Sequence, residues 1–179
     1  MTRSAAGDLA RYNGRSFEGA LDAQHKRYAR SGVSVVRLGP PVEPVKIGAR
    51  LLFRATGPGP VDYLAVAGAM DFVFDAKSTA KDYFPLNALP EHQARYLDEV
   101  TAAATDGHVV GGLVVRVADL GAWWLPWRAL APLWWAWFRA PKAPRGTASL
   151  TLAQLHEVGR RLDGVEWLSA ASAMALEAK

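Results

Sequence analysis

The stretch FVFDAKST, residues 72–79, sets an acid and a base two residues apart at the end of an apolar run. Side chains alternate along a strand, so Asp75 and Lys77 share one face while Ala76 points to the other. Charges in such a place cost stability unless they are paired or bind something. A second acid lies within reach. Residues 61–77, VDYLAVAGAMDFVFDAK, read as a β-hairpin turning at Gly68-Ala69, where a glycine at the first turn position suits a two-residue loop. With Ala67 opposite Met70, stepping outward sets Asp62 opposite Asp75, their Cβ atoms about 5 Å apart on the face that Lys77 shares. Opposed carboxylates repel, and a hard cation between them relieves the repulsion. Mg²⁺ suits the place, being content with one or two carboxylates plus waters and a phosphate. Lys77 can then orient or deprotonate the attacking water, or neutralise charge in the transition state. The chemistry expected is metal-dependent phosphodiester hydrolysis. The plainer reading is an exposed acid–lysine pair at a frayed strand end.

The flanking elements follow from periodicity. Residues 14–31 show a helical pattern with Phe17, Leu21, Gln24 and Tyr28 at three- and four-residue spacing; Asn13 can cap it and Gly32 can end it. Residues 33–39 read as a strand closed by Pro40-Pro41. Residues 42–60 interleave Lys46, Arg50 and Arg54 with Ile47, Leu51, Leu52 and Phe53 between Pro/Gly punctuation, and are expected to form an irregular protruding arm. A helix is expected to start near Pro90, and 108–117 is a strand with an internal glycine pair. Six of the seven tryptophans fall in 120–140. A membrane span is disfavoured because Pro126, Arg128 and Pro132 lie near the middle. A strand through 123–127 and a core-packing helix are expected instead. Residues 151–162 read as a final amphipathic helix, followed by a short strand or extended tail at VEWL.

Composition sets the frame. The chain has 179 residues, 50% hydrophobic and 21% charged, as one globular domain would. The absence of cysteine excludes a disulfide scaffold, a thiolate metal site and a cysteine nucleophile. The N-terminus lacks the apolar segment of a secretory signal, so a cytoplasmic protein is expected, with 1–12 as a flexible arm. Net charge is +4, but residues 1–60 hold ten Lys/Arg against four Asp/Glu. That asymmetry favours nucleic acid or anionic lipid, with a solvated basic face as the plainer alternative. The four histidines show no metal-ligand spacing.

An upstream aspartate, a hairpin and then Asp-x-Lys resemble the signature of the PD-(D/E)XK nucleases, and more specifically a RecU-type Holliday junction resolvase. The segments carrying the resemblance occur in the family's order: NGRSFEGALD (13–22), VDYLAV (61–66), FDAKST (74–79), FPLNALPEHQARYL (84–97) and GGLVVRV (111–117). The resemblance implies an α/β fold, a mixed sheet flanked by helices with the hairpin at its centre, forming a single nuclease domain over 1–179. It implies that Asp62 and Asp75 hold Mg²⁺, or Mn²⁺ in its place, with the Ala76 carbonyl, and that Lys77 is the catalytic lysine. Glu18 would be an accessory acid, against the alternative of a solvated first-turn acid, and Gln93 a further site residue. Residues 42–60 would be the stalk that enters a four-way junction. Lys46, Arg50, Arg54 and Arg15 would contact DNA, with Phe53 wedged against bases. Branched DNA is the implied partner and a homodimer the implied assembly; no recombination helicase partner can be named. Val61 stands where a threonine is expected, and Asp75 where the family usually has glutamate. The alternatives are another nuclease of this superfamily acting on nicks or flaps, or a junction-binding or membrane-attached protein without turnover.

Overall fold

A hairpin and the helical crossover after it build the centre of the molecule. In the computed structural model, backbone is described for residues 3–47, 50–104, 107–140 and 148–177, and side chains for 14–42, 56–104, 107–140 and 148–177. Strands β4 (Tyr63–Ala67) and β5 (Met70–Thr79) pair antiparallel with Ala67 opposite Met70. The turn between them places Gly68 at φ +62°, a conformation glycine adopts without a Cβ clash. Helix α2 (Glu91–Ala103) returns the chain so that β7 (Val109–Val117) lies parallel to β5. Strand β8 (Gly121–Pro126) is antiparallel to β7, and β1 (Ser34–Arg37) is antiparallel to β4. With β10 (Arg160–Arg161) the main sheet is six-stranded, in the order β1-β4-β5-β7-β8-β10. The expected architecture, a mixed sheet flanked by helices with the hairpin central, is what forms.

Alternation along the strands divides the core in two. Phe72, Phe74, Tyr63 and Trp124 face Phe17 and Leu21 of α1 (Arg3–Ala29), and Trp167 and Ala171 toward the C-terminus, where α5 (Leu168–Glu177) packs. Val73, Leu113, Val115 and Trp123 face Leu97 of α2 and Leu130 of α3 (Trp127–Arg139). The glycine pair on β7 has a packing cause on each face. A Cβ on Gly111 would stand 2.6 Å from Thr101 Cγ2, and one on Gly112 would stand 2.5 Å from a Trp124 ring carbon. The tryptophan segment divides as expected into a strand and a core helix, and Trp123, Trp124, Trp127 and Trp134 are all buried. Among the described residues no helix is long and apolar enough to cross a membrane.

Three expectations need correction. Helix α1 begins at Arg3, not after an Asn13 cap, so the backbone over 3–12 is helical and not a flexible arm. Ala5, Ala6, Leu9 and Ala10 are good helix formers, and an interior asparagine costs well under ~1 kcal/mol. The arm is regular: β2 (Val42–Ile47) and β3 (Arg50–Ala55) form a separate two-stranded ribbon with Val42 opposite Ala55 and Ile47 opposite Arg50. Its branched and aromatic residues favour strand over loop despite the flanking prolines. Near the C-terminus a capping box between Thr151 and Gln154 starts α4 (Leu152–Val158), which ends at Gly159. There a side chain would collide with the Trp124 carbonyl oxygen at 2.6 Å. Short β10 and helix α5 follow in place of the longer helix and extended tail; α5, LSAASAMALE, is too uniformly apolar to show a face.

Candidate active site

Strand β5 lies between β4 and β7, which explains why Asp75, opposite Leu113, is fully buried. Its carboxylate is not left bare. Gln93, in the first turn of α2, donates from Nε2 to Asp75 Oδ1 at 2.6 Å. The same side chain accepts from Lys77 Nζ at 2.9 Å. Lys77 Nζ in turn stands 2.5 Å from Asp75 Oδ2, an ion pair that closes the triangle of acid, amide and base. One amide thus ties the acid to the base. Burial pushes the Asp75 carboxyl up to about 7, Lys77 pulling it down and Asp62 adding to the rise.

Asp62 enters differently from its expected place in the ladder. The pairing stops at Tyr63–Phe74, so Asp62 does not face Asp75 as a paired residue. Its Oδ2 accepts instead from the Ala76 backbone N–H at 3.0 Å, the side chain replacing a lost rung. Both acids still reach one place, because their charges act on one another. A cleft of about 510 Å³ opens there, walled by Arg37, Asp62, Lys77, His92 and Gln93 and by the base of the ribbon at Pro40 and Pro58. Val61, buried in the wall, contributes methyls where a hydroxyl was expected. An apolar cavity of about 410 Å³ between α2, α3 and α5 lies elsewhere. Its carboxylate, Asp98, is occupied by two indole N–H groups.

The donor set fits a hard divalent ion. Asp75 is a buried carboxylate whose charge one lysine offsets, Asp62 is a second carboxylate acting on it, and the walls carry no sulfur ligand. Among the described residues no group of three or more His, Asp or Glu side chains gathers. Such an ion would therefore be held by two carboxylates, with waters and substrate oxygens completing its shell.

The remaining expected residues are dispersed. Glu18 belongs to α1, on the face opposite Gln93, and its partner is Arg37, whose Nη2 donates to Glu18 Oε2 at 2.5 Å. Arg15 is exposed on the same helix, one residue from Gly14, whose Cβ position lies 3.9 Å from Ser78 Oγ at the end of β5. Lys46, Arg50, Phe53 and Arg54 lie on the ribbon strands, but their side chains fall outside the described residues. Sequence reasoning missed Arg37 and His92 as cleft residues. Arg37 ends a strand with no motif around it, and His92 adjoins Gln93 in a helix whose exposed face cannot be assigned without its neighbours.

The family model of recombination protein U, RecU, matches residues 12–137, most of the chain. The chain belongs to that family of Holliday junction resolvases, metal-dependent nucleases that bind branched DNA. Among solved structures it is similar to Hjc, a Holliday junction resolvase from the archaeal hyperthermophile Archaeoglobus fulgidus. The two share 11% identity and a TM-score of 0.47, over 83% of this chain and 95% of that one. None of the curated proteins compared with the chain matched it.

Proposed function

We propose that this resolvase cuts four-way junctions symmetrically, as a homodimer, by Mg²⁺-dependent hydrolysis in the cleft at Asp62, Asp75 and Lys77. The carrying observation is the buried Asp75 carboxylate tied to Lys77 and Gln93, which line the cleft together with a second acid, Asp62. Asp62 and Asp75 would hold the ion, with the Ala76 carbonyl. The bound ion supplies charge neutralisation at phosphorus and lowers the pKa of a coordinated water. Lys77 contributes a cation on the strand face toward which the attacking water is aimed. Gln93 gives that lysine a second partner, so that Asp75 is not the only group holding it. Asp62, with one oxygen satisfied by Ala76 N–H, keeps its orientation without a metal.

A junction has approximate two-fold symmetry, and two matched cuts need two sites, which supports a dimer. The ribbon β2–β3 rises at the mouth of the cleft, its base at Pro40 and Pro58 forming part of the wall. It would act as the stalk entering the junction centre, with Lys46, Arg50 and Arg54 on phosphates and Phe53 against bases. Arg15 would meet the backbone on the far side.

Cleavage of an end-labelled four-way junction with Mg²⁺ tests this, with flap and linear duplex as competitors. Wild type is expected to give paired symmetric nicks. Asp75→Asn and Lys77→Ala should each lose on the order of 10³-fold or more in rate while still binding the junction. Tight binding without cutting in Mg²⁺ or Mn²⁺ would reject hydrolysis, and preferential cutting of flaps would reject junction selectivity.

A further inference from the structure

Apart from Lys77, one Lys/Arg side chain lines the described walls of the cleft, and no motif announces it. Arg37 ends β1 directly opposite Tyr63. Its guanidinium carbon lies 5.8 Å from the centre of the buried Tyr63 ring. One amine donates to Glu18 at 2.5 Å, and the other is 3.9 Å from Asp22. Asp22 is itself fixed, accepting from the Tyr63 hydroxyl at 3.3 Å. The side chain is nevertheless 51% exposed.

An exposed ion pair contributes little to stability. A ring and two carboxylates holding one guanidinium therefore do more to position it than to stabilise the fold. A guanidinium carries five N–H donors in a planar fork matched to paired phosphate oxygens. The carboxylates on α1 do not use all five. Glu18, for its part, joins no cluster of three metal-binding side chains with Asp62 and Asp75. Its route to the cleft runs through Arg37.

We propose that Arg37 binds non-bridging oxygens of a phosphate on the cleaved strand, and that Glu18 is a positioning residue for Arg37 and not a metal ligand. This rests on the cleft being the nuclease site, and it changes the role assigned to Glu18 there. The guanidinium is a second cation at the cleft, held at the edge strand from the α1 face while Lys77 is held from the α2 face, so it meets the strand's phosphates at the cleft rim. Asp22 and the Tyr63 ring keep the guanidinium from swinging out of the cleft when a phosphate competes with Glu18.

The test uses wild type, Arg37→Ala, Arg37→Lys, Glu18→Gln, the Arg37→Ala/Glu18→Gln double variant, and Asp75→Asn as the metal-site reference. Three quantities are measured: Mn²⁺ binding without DNA, the salt dependence of junction affinity in Ca²⁺, and single-turnover cleavage in Mg²⁺. Arg37→Ala should slow cleavage by on the order of 10²-fold and lower the slope of log affinity against log salt by about 0.9. Arg37→Lys should restore the slope but little of the rate, because an ammonium lacks the planar fork. Glu18→Gln should retain Mn²⁺ binding, slow cleavage several-fold, and add nothing in the Arg37→Ala background. Loss of Mn²⁺ binding in Glu18→Gln to the extent seen in Asp75→Asn would overturn the proposal, making Glu18 a ligand. So would Arg37→Ala cleaving like wild type with an unchanged salt slope. A wild type that cuts no junction would instead defeat the underlying assignment of the cleft, whatever the Mn²⁺ and salt data show.

Discussion

Asp75 carries a cost that the metal-free protein cannot remove. Its folded carboxyl titrates at about 7 against an ordinary 3.8, with burial as the largest cause. A raised folded pKa means that its contribution to stability is complete below about pH 4 and is lost as pH rises through 7. In chelator, Asp75→Asn should therefore melt close to wild type at pH 4–5 and above it at pH 8, by roughly 2–4 kcal/mol. Adding Mg²⁺ at pH 8 should raise the wild-type melting temperature and leave the variant unmoved. A variant less stable than wild type at pH 8 in chelator would show that the Lys77 attraction outweighs burial. Gln93 is the other decisive side chain at this scale. Gln93→Ala leaves Asp75 Oδ1 without its donor and leaves Lys77 with the acid as its one remaining partner among these side chains. With Asp75 holding the ion as proposed, cleavage should fall by about 10–100-fold with junction affinity unchanged, the usual effect of removing a ligand's hydrogen-bond partner. An unchanged rate would make the amide a packing residue only.

Helices are joined by polar clasps within the apolar core. Asp98 on α2 accepts from Trp127 Nε1 at 2.6 Å and from Trp135 Nε1 at 2.7 Å, so one carboxylate satisfies two indoles of α3. Asp98→Ala orphans the buried Trp127 N–H and should cost about 2–3 kcal/mol in denaturant melts. On the other face His25 Nε2 accepts from Trp167 Nε1 at 3.1 Å, joining α1 to the C-terminal segment. The acceptor must be a neutral imidazole, and burial lowers its pKa to about 4 while Asp22 opposes the shift. A lowered folded pKa gives stability that is present above about pH 6.5 and lost as pH falls toward 4. Relative to His25→Gln, wild type should lose about 1–2 kcal/mol over that range, with solvent at the rim screening the remainder. Parallel pH curves for the two proteins would remove the clasp as the cause.

At the scale of the whole molecule, the ribbon and the six-stranded sheet are separate hydrogen-bonded units. The ribbon's two ends meet where Thr56 N donates to the Pro41 carbonyl at 2.9 Å. Replacing 42–55 by a short glycine-serine link should therefore leave the melting temperature within a few degrees. Junction affinity should drop at least about tenfold, with a shallower salt slope as phosphate contacts are lost. Equal junction affinity with and without the ribbon would exclude it as the junction-entering element.

Local pattern was enough for the hairpin, its register and the acid–lysine spacing, because a period of two and a glycine turn leave one consistent pairing from Ala67–Met70 to Tyr63–Phe74. It was also enough for the division of the tryptophan segment, since Pro126 and the change of period mark the boundary. Three things depended on elements distant in sequence. Asp62 leaves the ladder for the Ala76 N–H, Gln93 bridges Asp75 and Lys77, and Glu18 meets Arg37. Each is a choice among several hydrogen-bond partners that local propensity leaves equivalent. Packing α1 and α2 on opposite faces of one sheet decides among them, because a buried polar atom takes the partner that the neighbouring layer delivers.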